Sequence, residues 1–323
     1  MKLFAAIKIL TMGLLIIIML VANGCSQFFW TGNYWIIRIV DVETSSVVEL
    51  LRSYSDLFSP RWSPVENIIA YYTSEKGGGL YRIDSDRTNN TRIISIETAK
   101  VPNSSSINIA WAPNGGRILC LIPSVKEFKI ISKEGTEEAS VDISTMETVS
   151  SPVWSSDNQR IAFVSGSKIY AVNVDGANLS QVTSGSLEVG SLDWVLAEGE
   201  MVFEARESGS ETWEVYAINP DGTGQRKVIA GRKPKWSPDG QKIAFVSGEA
   251  FWTMNGNGQK VEFLDGSFSY DYYWSPDGSK IVYGQMYVID IGLKKHKEIQ
   301  YIGNDVNWSP DSKKIVTNYY VPD

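Results

Sequence analysis

The pentapeptide Trp-Ser-Pro-Asp-Gly at 236–240 returns at 274–278, and with a single change, Gly to Ser, at 308–312. A chain that repeats itself at a fixed interval is built from one small unit, and that constrains its fold more than any other property. Aligned on tryptophan, the unit occurs seven times, at Trp62, Trp111, Trp154, Trp194, Trp236, Trp274 and Trp308. The period is near 40 residues, a length shared by propeller blades and by several helical repeats. Local pattern decides between them. Seven residues after each tryptophan stand Ile69, Ile118, Ile161, Met201, Ile243, Ile281 and Ile315. Two further on stand Tyr71, Cys120, Phe163, Phe203, Phe245, Tyr283 and Thr317. Large residues two apart, in short runs rich in Ile, Val, Phe and Tyr, are the signature of strands.

Between tryptophan and strand lies a turn. Pro238 presets φ for the first central position, Asp239 suits the second and Gly240 accepts positive φ, which is the chemistry of a short hairpin with a bulge glycine. A second hairpin follows in most copies, as in KIYAVNVDGANLSQVT from 168 and EVYAINPDGTGQRKVI from 214. Four strands per unit repeated around an axis make a β-propeller. No amphipathic helix is legible after residue 25, so the chain is all-β. Before the first copy, YWIIRIVDVETSSVVELL reads as a second hairpin lacking its first, and after Trp308 there is a first hairpin lacking its second. Pairing the two in one composite blade closes the ring and removes its exposed edges. The count is then seven blades. Six is the alternative, because the fourth copy, DWVLAEGEMVF, departs most from the pattern.

The WSPDG turn, the KIAFVS strand after it and the IYxxxxDG hairpin together resemble the repeat of the TolB-like propeller family, over essentially the whole chain past residue 33. The resemblance implies a β-propeller fold. TolB itself carries a separate domain before its propeller, whereas here only a short segment lies between Cys25 and the first hairpin.

The first residues read differently. Lys2 and Lys8 flank an apolar run from Ile9 to Ala22, shorter than a membrane span, which ends in LVANGC. That ending resembles the lipobox of bacterial lipoproteins, with Cys25 as the residue that would be lipidated. Residues 1–24 are then a signal peptide, 25–32 a tether and 33–323 one propeller, a monomer held at the cell envelope by its lipid. An ordinary secretory signal or an uncleaved anchor is the alternative. With Cys25 so used, Cys120 has no partner and no disulfide is expected.

The chemistry-bearing residues are few. Lyases of the oligogalacturonate and streptogramin type resemble seven-bladed propellers that use several histidines with a divalent metal, but this chain has one, His296, between lysines on an expected outer strand. There is no G-x-S-x-G elbow, P-loop or dinucleotide fingerprint. Cys120 falls on the aromatic core position of its repeat. The Asp-Gly pairs are explained by turns without calcium. No cofactor or metal is expected, and no enzymatic activity. The formal charge of −7, with dispersed Lys and Arg, argues against a nucleic-acid partner, because phosphate binding needs a basic face.

A partner would instead meet the ends of the ring. The WSPDG and DG turns are uniform, while TSEKGGGL, ARESGSETW, SGEAFW and ETAKVPNSSSI vary, and variable loops on a rigid frame carry recognition. Three residues before each tryptophan stand Ser59, Asn108, Ser151, Ser191, Lys233, Asp271 and Asp305, all polar, where the innermost strand should open on the channel. One residue before, the copies differ, with Arg61, Asp193, Lys235, Tyr273 and Asn307 among them. The candidate binding residues are Arg61, Asp193, Lys233, Lys235, Asp271, Tyr273 and Asp305 at the mouth, plus Trp252, which lies off the repeat phase. The expected partner is an envelope protein, a peptide segment or a glycan. The alternative is that these groups only solvate a water-filled channel.

Overall fold

The computed structural model describes residues 32–96, 107–122, 124–194, 199–266, 271–284, 287–299, 303 and 305–322, together with 17–18 and 29–30, which pair with each other. Cys25 and most of the expected signal peptide lie outside the described residues, as does nearly all of the ETAKVPNSSSI segment.

The rest is seven antiparallel sheets of four strands. We number blades in chain order and list strands from the channel outwards. Blade 1 is Leu57–Trp62, Ile68–Thr73, Gly79–Asp84 and Thr91–Ser95. Blade 2 is Asn108–Trp111, Arg117–Ile122, Glu127–Ser132 and Glu137–Asp142, and blade 3 is Val149–Trp154, Arg160–Ser165, Lys168–Asn173 and Ser180–Gln181. Blade 4 is Leu187–Trp194, Met201–Glu207, Glu214–Ile218 and Arg226–Ala230. Blade 5 is Arg232–Trp236, Lys242–Ser247, Ala250–Asn255 and Glu262–Asp265, and blade 6 is Tyr272–Trp274, Lys280–Tyr283, Tyr287–Asp290 and Lys295–Glu298. Blade 7 is composite: Val306–Trp308 and Lys314–Val321 from the C-terminal end, then Tyr34–Asp41 and Val47–Ser53 from the N-terminal end. The join runs in register from Tyr34↔Val321 to Asp41↔Lys314. The fourth copy forms a complete blade, so the ring has seven blades and not six.

Closure is visible in the core. The buried apolar residues fall into seven clusters, each at the junction of two neighbouring blades, and the junction between blades 7 and 1 has its own, from Ile37, Leu50 and Val316 to Tyr71 and Ile83. Every junction contains one repeat tryptophan. Trp62, Trp154, Trp194, Trp274 and Trp308 are buried; Trp111 and Trp236 are half-buried against their clusters. The indole also binds the preceding blade: Nε1 of Trp111, Trp154, Trp274 and Trp308 donates to the carbonyl of Arg61, Ala110, Lys235 and Tyr273, at 2.9–3.2 Å. Blade 4 breaks this pattern. Trp194 donates within its own blade, to Gly199, and Trp236 of blade 5 still reaches blade 4 but at Glu200, not at the residue before its tryptophan. Trp62 breaks it too: its buried Nε1 has no partner among the described residues, while its backbone N–H donates to the Asn307 side chain at 2.7 Å.

The expected turn chemistry is present. In blade 5 the Ser237 hydroxyl donates to Asp239 Oδ1, Asp239 accepts the N–H of Gln241, and Gly240 has φ +68°. Blade 3 uses Ser155, Asp157 and, in the glycine position, Asn158 at φ +60°. The Ser155 hydroxyl, with the N–H of Gln159, holds the Asp157 carboxyl below its usual range. These aspartates already accept the turn's own donors, which accounts for their recurrence without a metal.

Candidate functional site

Because the strands alternate in direction, the WSPDG turns and the turns between third and outer strands gather at one end of the ring. The starts of the innermost strands and the connectors between blades gather at the other. The mouth at that second end is shaped by a recurrent irregularity. In blades 1, 3 and 5 the residue two before the tryptophan is a proline: Pro60, Pro152 and Pro234. Proline has no N–H to give to the ladder, so pairing with the second strand slips between Phe58 and Arg61, Ser150 and Val153, and Arg232 and Lys235. The residues before the prolines, Ser59, Ser151 and Lys233, take φ of +50° to +52°. In blade 4 Gly190 stands at the slip, where a Cβ would come within 2.6 Å of Glu204 Oε1. An X-Pro-X-Trp motif is a bulge signal, present in three copies and separate from the periodic pattern of tryptophan and strand.

Seven of the eight candidate residues converge on the mouth. Lys233 Nζ lies 3.0 Å from Asp271, joining blades 5 and 6, and Asp271 is mostly exposed at the rim. Arg61 lies 3.7 Å from Asp305, joining blades 1 and 7. Asp305 also accepts the N–H of Ser59 at 3.1 Å, and its own N–H donates to Asn318. Asp193 accepts the N–H of Trp236 at 2.8 Å. Lys235 donates to the Tyr272 carbonyl at 2.8 Å, with its ammonium 4.3 Å from the centre of the Tyr273 ring and 5.2 Å from that of Tyr272. Asp271 and Asp305 stand just ahead of short innermost strands, while Ser59, Ser151, Ser191 and Lys233 lie within theirs.

Desolvation governs the deeper groups. Burial lowers the Lys235 ammonium against the opposing attraction of Asp193, and it raises the Asp193 carboxyl against that of Lys235. Burial likewise raises the phenols of Tyr272 and Tyr273. Three cations and three anions thus share the mouth.

Trp252 is elsewhere. The variable SGEAFW segment is not an open loop: Ser247 pairs with Ala250 across a two-residue turn at Gly248, φ +62°, so the chain re-enters the sheet at once. Trp252 therefore sits on the third strand of blade 5, half-buried, edge-on to Phe263 at 5.3 Å and donating to the Ser247 carbonyl. It is not part of the mouth. His296 lies on the outer strand of blade 6, with Nδ1 2.7 Å from the Tyr283 hydroxyl, which in turn donates to Asp265. Cys120 is buried, its thiol pushed up to about 12 by desolvation, which makes it packing and not a nucleophile. Among the described residues no cluster of three metal-ligating side chains occurs, and no helix is long and apolar enough to cross a membrane.

No family model matches the chain, and no curated protein does. Solved structures do. A protein assigned as TolB from Agrobacterium tumefaciens aligns over 91% of this chain and 100% of its own, at 15% identity and TM-score 0.55. An oligogalacturonate lyase in complex with manganese aligns over 88% and 95%, at 11% identity and TM-score 0.67. The oligogalacturonate lyase of Vibrio parahaemolyticus aligns over 88% and 98%, at 10% and 0.63. At such identities the likeness is one of fold. The structural neighbours of this chain include a TolB-type propeller and enzymes alike.

Proposed function

We propose that this chain is a non-catalytic binding module, tethered outside the cytoplasm through Cys25, whose channel mouth receives an envelope protein, a peptide segment or a glycan. The observation that carries this reading is the mouth itself. Arg61, Asp193, Lys233, Lys235, Asp271, Tyr273 and Asp305 come from five different blades and make contacts across blade boundaries at one end of the ring: Arg61 with Asp305, Lys233 with Asp271, Lys235 with the Tyr273 ring, and Asp193 with the N–H of Trp236. Repeat positions that packing leaves free have been filled with charge. The amino-terminal LVANGC supports the placement outside the cytoplasm. The catalytic alternative, a lyase of the kind met among the structural neighbours, finds no support in the side chains: the one histidine is on an outer strand, bonded to Tyr283.

Capture of partners from native membranes by the full chain and by Lys233→Glu/Lys235→Glu tests the proposal. The double variant is expected to lose them; undiminished capture refutes the mouth as the site. Turnover of polyuronides or peptides by the purified protein, with or without added divalent metal, refutes the non-catalytic reading. Mass spectrometry of the membrane-extracted protein checks the tether: a diacylated start at Cys25 is expected, and an unmodified start at Met1 contradicts it.

A further inference from the structure

The mouth's charges are unequally engaged. Each of its acids has a bonded partner: Asp193 the N–H of Trp236, Asp271 the ammonium of Lys233, and Asp305 the guanidinium of Arg61 and the N–H of Ser59. Lys233 has its carboxylate at 3.0 Å. Lys235 does not. Its ammonium carries three donors, yet among the described residues it gives one, to the Tyr272 carbonyl, and no described carboxylate lies within 4 Å of it. The Tyr273 ring closes one side at 4.3 Å, and the Tyr273 hydroxyl has no hydrogen-bond partner among the described residues. Arg61, held to Asp305 only at 3.7 Å and through Nη1 to the Pro60 carbonyl at 3.1 Å, is close enough for its charge to act on both Lys235 and Tyr273, where it is opposed by Asp193 and Asp271 at the lysine and by Asp271 and Asp305 at the phenol, none of them within 4 Å of the ammonium. Two ammonium donors, a phenolic hydroxyl and a loosely held guanidinium thus converge in a partly dehydrated channel. Ionised oxygen acceptors make the strongest hydrogen bonds to such donors.

We propose that Lys235, Tyr273 and Arg61 form a seat for one carboxylate entering through the connector end of the channel. This rests on the mouth being the binding site and names the chemistry it takes. A carboxylate can come from the end or an acidic side chain of a peptide, or from a uronic acid of a glycan. The seat reads the group; the surrounding rim would read the rest of the partner.

Calorimetric titration of the full chain in detergent separates the sources, using two pairs of probes. The first is an acetylated tripeptide with a free carboxylate against the same peptide amidated; the second is galacturonate against galactose. In one pair at least, the carboxylate form is expected to bind tenfold or more tightly than its neutral counterpart. Lys235→Met should then weaken that probe at least tenfold, and Tyr273→Phe, which deletes only the hydroxyl, several-fold. Lys260→Met, in an exposed turn of the same blade, should change nothing. A thermal melt of each variant shows that the ring is intact, and if Lys235→Met fails to fold, Tyr273→Phe carries the test. Equal affinity for charged and neutral probes, absence of binding by any probe, or full binding by the folded Lys235→Met variant each overturns the seat. Loss of partner capture by Lys233→Glu/Lys235→Glu alongside silent carboxylate probes refutes the seat while sparing the mouth. Unaffected capture removes both.

Discussion

Two arcs of the channel wall occupy equivalent places in the repeat and differ in what they carry. In blades 2 and 3 the residues three and one before the tryptophan are Asn108 and Ala110, then Ser151 and Val153; no charge appears. In blades 5 to 7 and on into blade 1 they are Lys233 and Lys235, Asp271 and Tyr273, Asp305 and Asn307, Ser59 and Arg61. The framework is common to both arcs. Trp154 in the first and Trp308 in the second are each buried, and each donates its indole N–H to the preceding blade. Blades 3 and 5 even share the proline bulge and the positive φ of the residue before it. Folding therefore does not demand the charged arc, and its cost is borne locally by desolvated groups. That separation is the physical basis for assigning it a function.

The comparison can be broken most forcefully at the tryptophans. If the framework is the same around the ring, Trp154→Ala and Trp308→Ala should each destabilise by about 3–5 kcal/mol in chemical denaturation, with no systematic difference between arcs. A small loss in one arc alone would mean that the ring does not close as described. Next in size is Lys235→Met. Burial depresses the lysine below its unfolded-state range, so the folded state disfavours its charge, and that penalty is fully present at neutral pH. It is relieved as pH rises through the folded-state value towards 10.5, because over that window the unfolded chain binds more protons. The variant should thus be at least as stable as the wild type at pH 7, by up to about 1–2 kcal/mol, with the gap closing by pH 10. A variant markedly less stable at pH 7 would place Lys235 in the framework. Smallest is the bulge. Ser151→Gly relieves a strained φ of +52° in the neutral arc and should gain about 1 kcal/mol or less. Lys233→Gly relieves the same strain but removes the ion pair to Asp271, so its stability should change little while partner capture falls.

What could be read in the chain followed from range. A Trp-Ser-Pro-Asp-Gly turn and the strand behind it are specified within about ten residues, by proline's fixed φ, glycine's freedom and the period-two placement of Ile and Phe. The polar identity of the positions before each tryptophan was legible for the same reason. The pairings among them were not. Trp252 was misplaced because Gly248 makes so short a turn that the following residues belong to a strand and not to a loop. The weak fourth copy left the blade count open, since its turn lacks the motif, and only its full set of cross-strand pairings showed a complete blade.

The sequence by itself determined the unit: a four-stranded sheet with a wedge of indole at its edge, repeated, with half a unit at each end. Only the tertiary structure decided how many units close and which charges meet. Arg61 and Asp305 are far apart along the chain and become neighbours because the two half-units zip into one blade. Local rules carry no information about that distance. Closure supplies it, and with it the arc in which Lys235 meets the Tyr273 ring with no described carboxylate within 4 Å of its ammonium.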